Sequence, residues 1–342
     1  MEEYAGEQEG IDCDMSFGGG TNIVVDDNAP KTGQVNFSGG KDSTAMLLRM
    51  LELDDPINYP VTHIVFSDTH FEFPELYSYI DFIESYIQKR WPDKNLFIEK
   101  VEPKDSWDDW FFGKITRGEN EGKTRGAPLI RLPCWWSREA KIKPLDAYAK
   151  EKNATWTYVG IAYDEQGRIR EDPQIRYPLN EWEWTESDCL DYLEHLGLGN
   201  SLYKSFNRLG CFHCPKQSTA SWYSLYKDFP DLWEVSKEWD KKSRELTTHG
   251  FMMNDTLEGL QEKFEAGYVP VNVSDFKCGS CEAVSFITTG VLTMEDFETD
   301  DAIEHNEKYV DSRIDLAERA LEDSKTEWLP PSQAHKRMKE LF

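Results

Sequence analysis

A doubly wound α/β fold on a mostly parallel sheet, with a cysteine-rich helical extension toward the C-terminus, is what this 342-residue sequence predicts. Three observations carry the prediction. Short apolar runs alternate with longer stretches of helical period, the order of βαβ units. The first run ends in a glycine pair and opens straight into a helix, as anion-binding loops do in open parallel sheets. Two Cys-x-x-Cys pairs follow, at Cys211 with Cys214 and at Cys278 with Cys281.

The first element is Gln34-Val-Asn-Phe-Ser-Gly-Gly-Lys-Asp-Ser-Thr-Ala-Met-Leu-Leu48. Val35 to Phe37 reads as the end of a buried strand, and Thr44 to Leu53 as a helix that Asp42 or Ser43 can cap. Between them, Ser38, Gly39, Gly40, Lys41, Asp42 and Ser43 form a tight loop. Its glycines let the backbone approach an oxyanion, free N–H groups point at it, and Lys41 adds a positive charge. The Walker A pattern is absent.

A second strand, Asn58 to Ser67, ends in Asp68-Thr69-His70-Phe71-Glu72-Phe73-Pro74-Glu75 and leads to a helix over 75–90. Chain order puts Asp68 and Thr69 beyond a strand's carboxyl end, where ligands sit in open sheets; Asp68 either meets a ligand there or caps the next turn. Asn95 to Val101 is a third strand. Residues 103–131 carry Trp107, Trp110, Phe111 and Phe112, then a basic stretch, and read either as a lid over the loop or as packed aromatics. Arg138 and Lys141 follow Cys134; they suit a sulfate or phosphate, or a solvated helix face. Thr155 to Ile161 is a fourth strand, ending in Gly160 with Asp164, Glu165, Arg168 and Arg170 just beyond. Those groups can position Mg2+ and polyphosphate, or form an internal salt-bridge network. Helices are expected at about 185–196 and through 219–247, with Cys189 on an apolar face. One or two charged helices, docking on the core, on a partner protein or on a second copy of the chain as a homo-oligomer, are expected over 301–342. Residues 1–32, rich in Glu, Asp and Gly, read as a flexible acidic arm in which Cys13 is incidental.

Composition limits the function. Apolar residues make up 39% of the chain, enough for a core. No run of ~18 apolar residues occurs, so no membrane span is expected. The N-terminal residues lack the order of a signal peptide, so a cytoplasmic protein is expected. The formal charge of −26 opposes general attraction to nucleic acid. A polynucleotide substrate would need a local basic groove or a basic partner. Seven cysteines with two Cys-x-x-Cys pairs suit metal or redox chemistry in a reducing compartment better than a disulfide framework.

The loop Ser38-Gly-Gly-Lys-Asp-Ser43 resembles that of the PP-loop ATP pyrophosphatases. This superfamily includes the phosphoadenosine-phosphosulfate (PAPS) reductases, the sulfurylase small subunit, tRNA thiolation enzymes and DNA phosphorothioation sulfur-transfer proteins. Further likeness lies in Asp68-Thr69-x-x-Glu-Phe-Pro-Glu75, in Cys134 followed by a basic helix ending Lys141-Ile-Lys-Pro144, and in Gly160-Ile-x-x-Asp164-Glu165-x-x-Arg168. It continues through Pro178-Leu179, Trp182 and Tyr203 to Arg208-Leu-Gly-Cys211-Phe-His-Cys214-Pro215. The spacing from Cys134 to Lys141 is longer than the family's. The resemblance covers 33–217 and implies a nucleotide-binding domain there, followed by a helical region over 218–300 with the second Cys-x-x-Cys. It implies that residues 38–43, with Asp68, Thr69, Gly160, Arg138, Lys141, Arg168, Arg170 and Arg208, hold ATP·Mg2+, and that Lys41, Asp42, Asp68, Asp164 and Glu165 serve the chemistry.

Cys211, Cys214, Cys278 and Cys281, with Cys134 as a fifth claimant, can supply four thiolates to a metal. Four thiolates fit structural Zn2+ or a [4Fe-4S] cluster equally well, and the family favours iron–sulfur. His213 is expected to face outward. The leading expectation is an enzyme that cleaves ATP to AMP and pyrophosphate to adenylate a substrate, for sulfur transfer to nucleic acid. A sulfonucleotide reductase is the alternative. Those enzymes use a C-terminal Glu-Cys-Gly type nucleophile and a loop often degenerate at its lysine; here no cysteine follows Cys281 and the loop is intact. A nucleotide-sensing subunit of a defence or modification complex is the third reading.

Overall fold

The structure, a computed structural model, describes residues 31–270. The acidic arm up to residue 30, Cys13, Cys278, Cys281 and the helices expected over 301–342 lie outside the described residues. Five strands form one all-parallel sheet in the order β3-β2-β1-β4-β5. They are β1 (Gly33–Phe37), β2 (His63–Ser67), β3 (Ile98–Val101), β4 (Trp156–Val159) and β5 (Ile175–Arg176). Val35 pairs with Ile64 on one side and Tyr158 on the other, so β1 is central. It is buried on both faces, as parallel strands covered by helices are. Even Gln34 is fully buried; its side-chain amide donates to Asn36 Oδ1 (2.8 Å) and to the Leu145 carbonyl (3.2 Å).

Helices α1 (Lys41–Leu53) and α2 (Pro74–Arg90) carry the first two crossovers. Pro74 starts α2 at a position that needs no N–H, and Lys89 and Arg90 complement its C-terminal dipole. Helix α3 (Trp107–Phe111) is fixed by a capping box between Ser106 and Asp109. Next, α4 (Trp135–Ser137) runs through a π-helical turn over Arg138–Ile142 into α5 (Lys143–Glu151). After β5 come α6 (Pro178–Glu181) and α7 (Glu186–His195); the latter has its own capping box, Thr185 with Asp188, and packs against α1. A helical region closes the described chain: α8 (Thr219–Asp228), α9 (Pro230–Leu246) and α10 (Leu257–Glu265). Trp222, Trp233 and Phe264 fill its interior. Buried Asp240 there accepts hydrogen bonds from the Phe251 N–H (2.7 Å), the Leu257 N–H (3.2 Å) and Arg244 (3.0 Å), which satisfies its charge. No described helix is long and apolar enough to cross a membrane.

Several expectations need correcting. Neither Asp42 nor Ser43 caps α1: Gly40 is its N-cap, without a side-chain bond, because the helix starts at Lys41 and both residues already lie in its first turn. The second strand is confined to 63–67, since residues before it form turns. The helical stretch through 219–247 breaks at Phe229, where Pro230 bars the residue before it from helical backbone. Residues 103–131 contain α3, and its Trp107 and Phe111 are buried among other rings. Those two aromatics are therefore packing.

Candidate functional site

The order of strands reverses at β1. Chain progression runs outward from β1 to β2 and β3 on one side, while β4 lies on the other. Such a switch point opens a crevice beyond the strands' carboxyl ends. The segments that follow β1 and β4 flank it. Gly160, just after β4, comes so close to α1 that a Cβ there would sit 2.9 Å from the Ser43 nitrogen and Cα. Gly39 takes the left-handed backbone (φ +68°) and would strike Leu76 if substituted.

The loop is braced from within. Ser38 N–H donates to Ser43 Oγ (3.1 Å), Gly40 N–H to Ser38 Oγ (3.3 Å) and Ser43 Oγ to the Gly40 carbonyl (3.1 Å). The Lys41 N–H donates to the Tyr203 hydroxyl (2.8 Å), and Asn200 Nδ2 reaches the Gly39 carbonyl (3.3 Å). Three loop N–H groups expected to be free are thus held by hydroxyls that an incoming oxyanion would have to replace. Lys41 is 7% exposed and its ammonium lies between Asp42 (3.4 Å) and Glu186 (3.3 Å).

Asp42, Glu165 and Glu186 converge. One carboxylate oxygen from each lies within 4.8 Å of the other two, the one such grouping of three or more candidate ligands among the described residues. Burial pushes the Asp42 carboxyl up from its usual value to about 6; Lys41 opposes the rise, while Glu186 and Glu165 add to it. Asp42 Oδ1 is buried without a hydrogen-bond partner. An oxygen-only donor set with an orphaned carboxylate oxygen fits a hard divalent cation such as Mg2+. Asp164 accepts the Glu186 N–H (3.1 Å) and so sets that helix start. Arg168 is paired with Glu165. Arg170 and Arg208 are exposed, and neither is tied to the trio.

A second cluster gathers around the first Cys-x-x-Cys. Cys211 Sγ lies 3.5 Å from the Thr69 hydroxyl, which donates to buried Glu72 (2.9 Å); Glu72 also pairs with Lys141 (3.1 Å). Burial, then Glu72, raises the Cys211 thiol to about 12 against the pull of Lys141. Burial opposes the Lys141 charge, yet Glu72 and the neighbouring Cys211 hold it above its usual value. Burial also raises Cys134, whose sulfur accepts the Ser137 N–H (3.4 Å); the charge of Cys214 adds to that rise. Thiols from α4 and from the 211–214 turn therefore face one region, a set that soft metals prefer. Tetrahedral Zn2+ with Zn–S near 2.3 Å needs sulfurs about 3.8 Å apart. Cys134, Cys211 and Cys214 are not all within 4.8 Å of one another, a looser spacing.

Some expected site residues sit elsewhere. Thr69 is fully buried and belongs to the thiol cluster. Asp68 caps its own turn, accepting the His70 N–H (2.8 Å) and the Tyr77 hydroxyl (2.6 Å). Arg138 and Lys141 are separated: Arg138 pairs with Glu139 (2.8 Å), Lys141 with Glu72. Both lie in the π-helical turn over Arg138–Ile142, which shifts the helical phase. His213 does not face outward. It is buried among Phe71, Trp107 and Phe251, its Nδ1 unpartnered, and burial lowers it to about 3. It is a neutral packing group. Glu186, Tyr203 and Glu72 were not expected as site residues; an acidic first helical turn and a tyrosine after Gly199-Asn200 were the available signals.

The fold and this site define a class: an open parallel α/β protein with a glycine loop and a carboxylate trio at its switch point, and a separate thiol cluster. Residues 33–217, more than half of the chain, match the phosphoadenosine phosphosulfate reductase domain, and the chain belongs to that family. Among curated relatives, uncharacterized protein MJ0066 of Methanocaldococcus jannaschii is 28% identical over 225 residues, covering 62% of this chain and 41% of its own. Uncharacterized protein MJ0973 of the same organism is 26% identical over 213 residues, 58% of this chain and 44% of its own. The chain thus spans less than half the length of these relatives. A crystal structure of PAPS reductase from Candida auris in a phosphate complex aligns with TM-score 0.35 and 18% identity, over 54% of this chain and 83% of that one.

Proposed function

We propose that this protein binds ATP·Mg2+ at the 38–43 loop and transfers the adenylyl group to an acceptor, releasing pyrophosphate, as the activating step of sulfur transfer to nucleic acid. A nucleophilic oxygen of the acceptor bonds to the α-phosphorus. The bond from that phosphorus to the bridging oxygen breaks, and its electron pair leaves with pyrophosphate. The observation that carries this reading is the convergence of Asp42, Glu165 and Glu186 beside Lys41 at the start of α1. A divalent cation there would supply charge neutralisation to the phosphates. Asp42, Glu165 and Glu186 would hold that cation, Lys41 beside them would add positive charge for the phosphates, and the loop N–H groups now bonded to the Ser38 and Tyr203 hydroxyls would serve as oxyanion donors. Catalysis in this reading is orientation and charge neutralisation.

A second reading, sulfonucleotide reduction, draws on Lys141 and Cys211 standing together, a cation beside a thiol. Calorimetric titration of anaerobically purified protein with ATP·Mg2+ and with PAPS separates the two, with Lys41→Ala as control. ATP binding preferred over PAPS and lost in the variant is the expected result. Preferred PAPS binding overturns the adenylating reading.

A further inference from the structure

The chain carries −26, yet residues 112–143 hold eight Lys and Arg against three Glu, a local balance of +5. The structure gives this island an aromatic floor. Trp110 stacks on Trp135 with ring centroids 6.2 Å apart at 19°. Around Trp110 stand Arg125 (4.6 Å from the ring centroid), Lys143 (5.6 Å) and Arg138 (5.9 Å). Three cations here share one carboxylate, buried Glu139, which holds Arg138 at 2.8 Å and Lys143 at 2.6 Å. Arg125 reaches the Lys114 carbonyl (3.3 Å), and its Nε is buried without a partner. Burial, and next the charge of Arg138, lower its pKa. Such a cluster is short of negative charge. On the same segment Phe112, Leu129, Ile130 and Leu132 are exposed.

We propose that this Trp110 face binds single-stranded nucleic acid, phosphates on the three cations and bases on the arginine–indole platform. Phosphates supply the missing negative charge. An arginine held against an indole offers a planar cationic surface on which an unpaired base stacks. A duplex hides its base faces, so the preference is for single strands. Trp135 directly follows Cys134, so this face adjoins one member of the thiol cluster in sequence. The inference deepens the acceptor side of the function proposed above and takes its purpose from it, but binding at this face needs no ATP.

The test is fluorescence anisotropy of the full chain with a labelled mixed-sequence single-stranded DNA of about 20 nucleotides at about 50 mM salt. The matching duplex and heparin serve as competitors. Single-strand binding with tryptophan quenching is expected. Trp110→Leu and Arg125→Ala each weaken it about tenfold, and Arg125→Ala with Lys143→Ala lowers the logarithmic salt slope by about 1.4. ATP·Mg2+ binding is retained in these variants, which reports their folding; the exposed Lys143→Ala alone serves should Trp110→Leu not fold. Absence of binding, affinity unchanged in Arg125→Ala and Lys143→Ala, or equal binding of duplex and heparin overturns the inference. ATP binding without oligonucleotide binding sinks this inference alone; oligonucleotide binding without ATP binding sinks the adenylating reading alone.

Discussion

Asp42 sits buried at a helix start and, in the proposed function, binds a cation. Its carboxyl titrates near 6 in the fold against 3.8 ordinarily. The folded state therefore holds this proton more tightly than the unfolded chain does. Stability falls as pH rises through the window from about 4 to 6, and at pH 7 the ionised group costs up to about 3 kcal/mol. Asp42→Asn should raise the melting temperature of the metal-free protein at pH 7.5, by the equivalent of up to about 3 kcal/mol, because the shift to about 6 already includes the attraction of Lys41. At pH 4 the gain should vanish, because the native carboxyl is then neutral. The same variant should lose the thermal shift that ATP·Mg2+ gives the wild type. A melting temperature unchanged at both pH values would show that Asp42 is solvated. His213 has the opposite sign. Its folded value near 3 lies below the ordinary 6.5, so the unfolded chain gains the proton first as pH falls. Below about pH 6.5 stability should drop by up to roughly 1.4 kcal/mol per pH unit from this residue. Acid unfolding curves of His213→Leu should be flatter over that range; curves parallel to the wild type would place the imidazole in water.

At the scale of elements, the site depends on how closely β4 approaches α1. Gly160→Ala puts a methyl group 2.9 Å from backbone atoms of Ser43, which no side-chain rotation relieves. The variant should lose about 1–3 kcal/mol by chemical denaturation, and ATP binding should weaken more than the loss of folded fraction explains. Wild-type affinity would show that the loop need not be held at this distance. This approach also shows what the sequence carries. Strands β1 to β4 and helices α1, α2 and α7 were legible because short apolar runs alternate with stretches of helical period, although the expected caps of α1 were wrong. Strand β5 was not: two residues are too few for any period. The Phe229 break was signalled by Pro230, whose effect a reading of apolar spacing alone overrides. In the site, Lys41, Asp42 and Glu165 were legible from motif order. Glu186 was not, since an acidic residue in a first helical turn reads as dipole compensation until α7 packs on α1. The fates of Arg138 and Lys141 turned on a π-helical turn that has no simple sequence signature.

For the molecule as a whole, the thiol cluster joins parts that the sheet does not. Cys134 comes from the start of α4, Cys211 and Cys214 from a turn that docks on the segment after β2 through the Phe212 N–H and the Phe71 carbonyl (2.9 Å). A metal held there would tie these segments, and its binding free energy would add to folding stability. A metal held by the three described sulfurs would need a fourth ligand; Cys278 and Cys281, the expected candidates, lie outside the described residues. Because burial lifts the Cys211 thiol to about 12, a metal must displace its proton, so loading should weaken as pH falls. In the proposed reading these thiolates, with a fourth ligand, hold a [4Fe-4S] cluster. Anaerobically purified protein should therefore hold about four iron and four sulfide per chain, and both should be lost in Cys211→Ser. Removing the metal with a chelator should lower the melting temperature and speed amide exchange in α4 and the 211–214 turn, leaving β1 unaffected. One zinc per chain without sulfide would replace the iron–sulfur reading with a structural zinc site. Metal-free protein whose stability a chelator does not change would remove both and leave the cysteines as packing thiols.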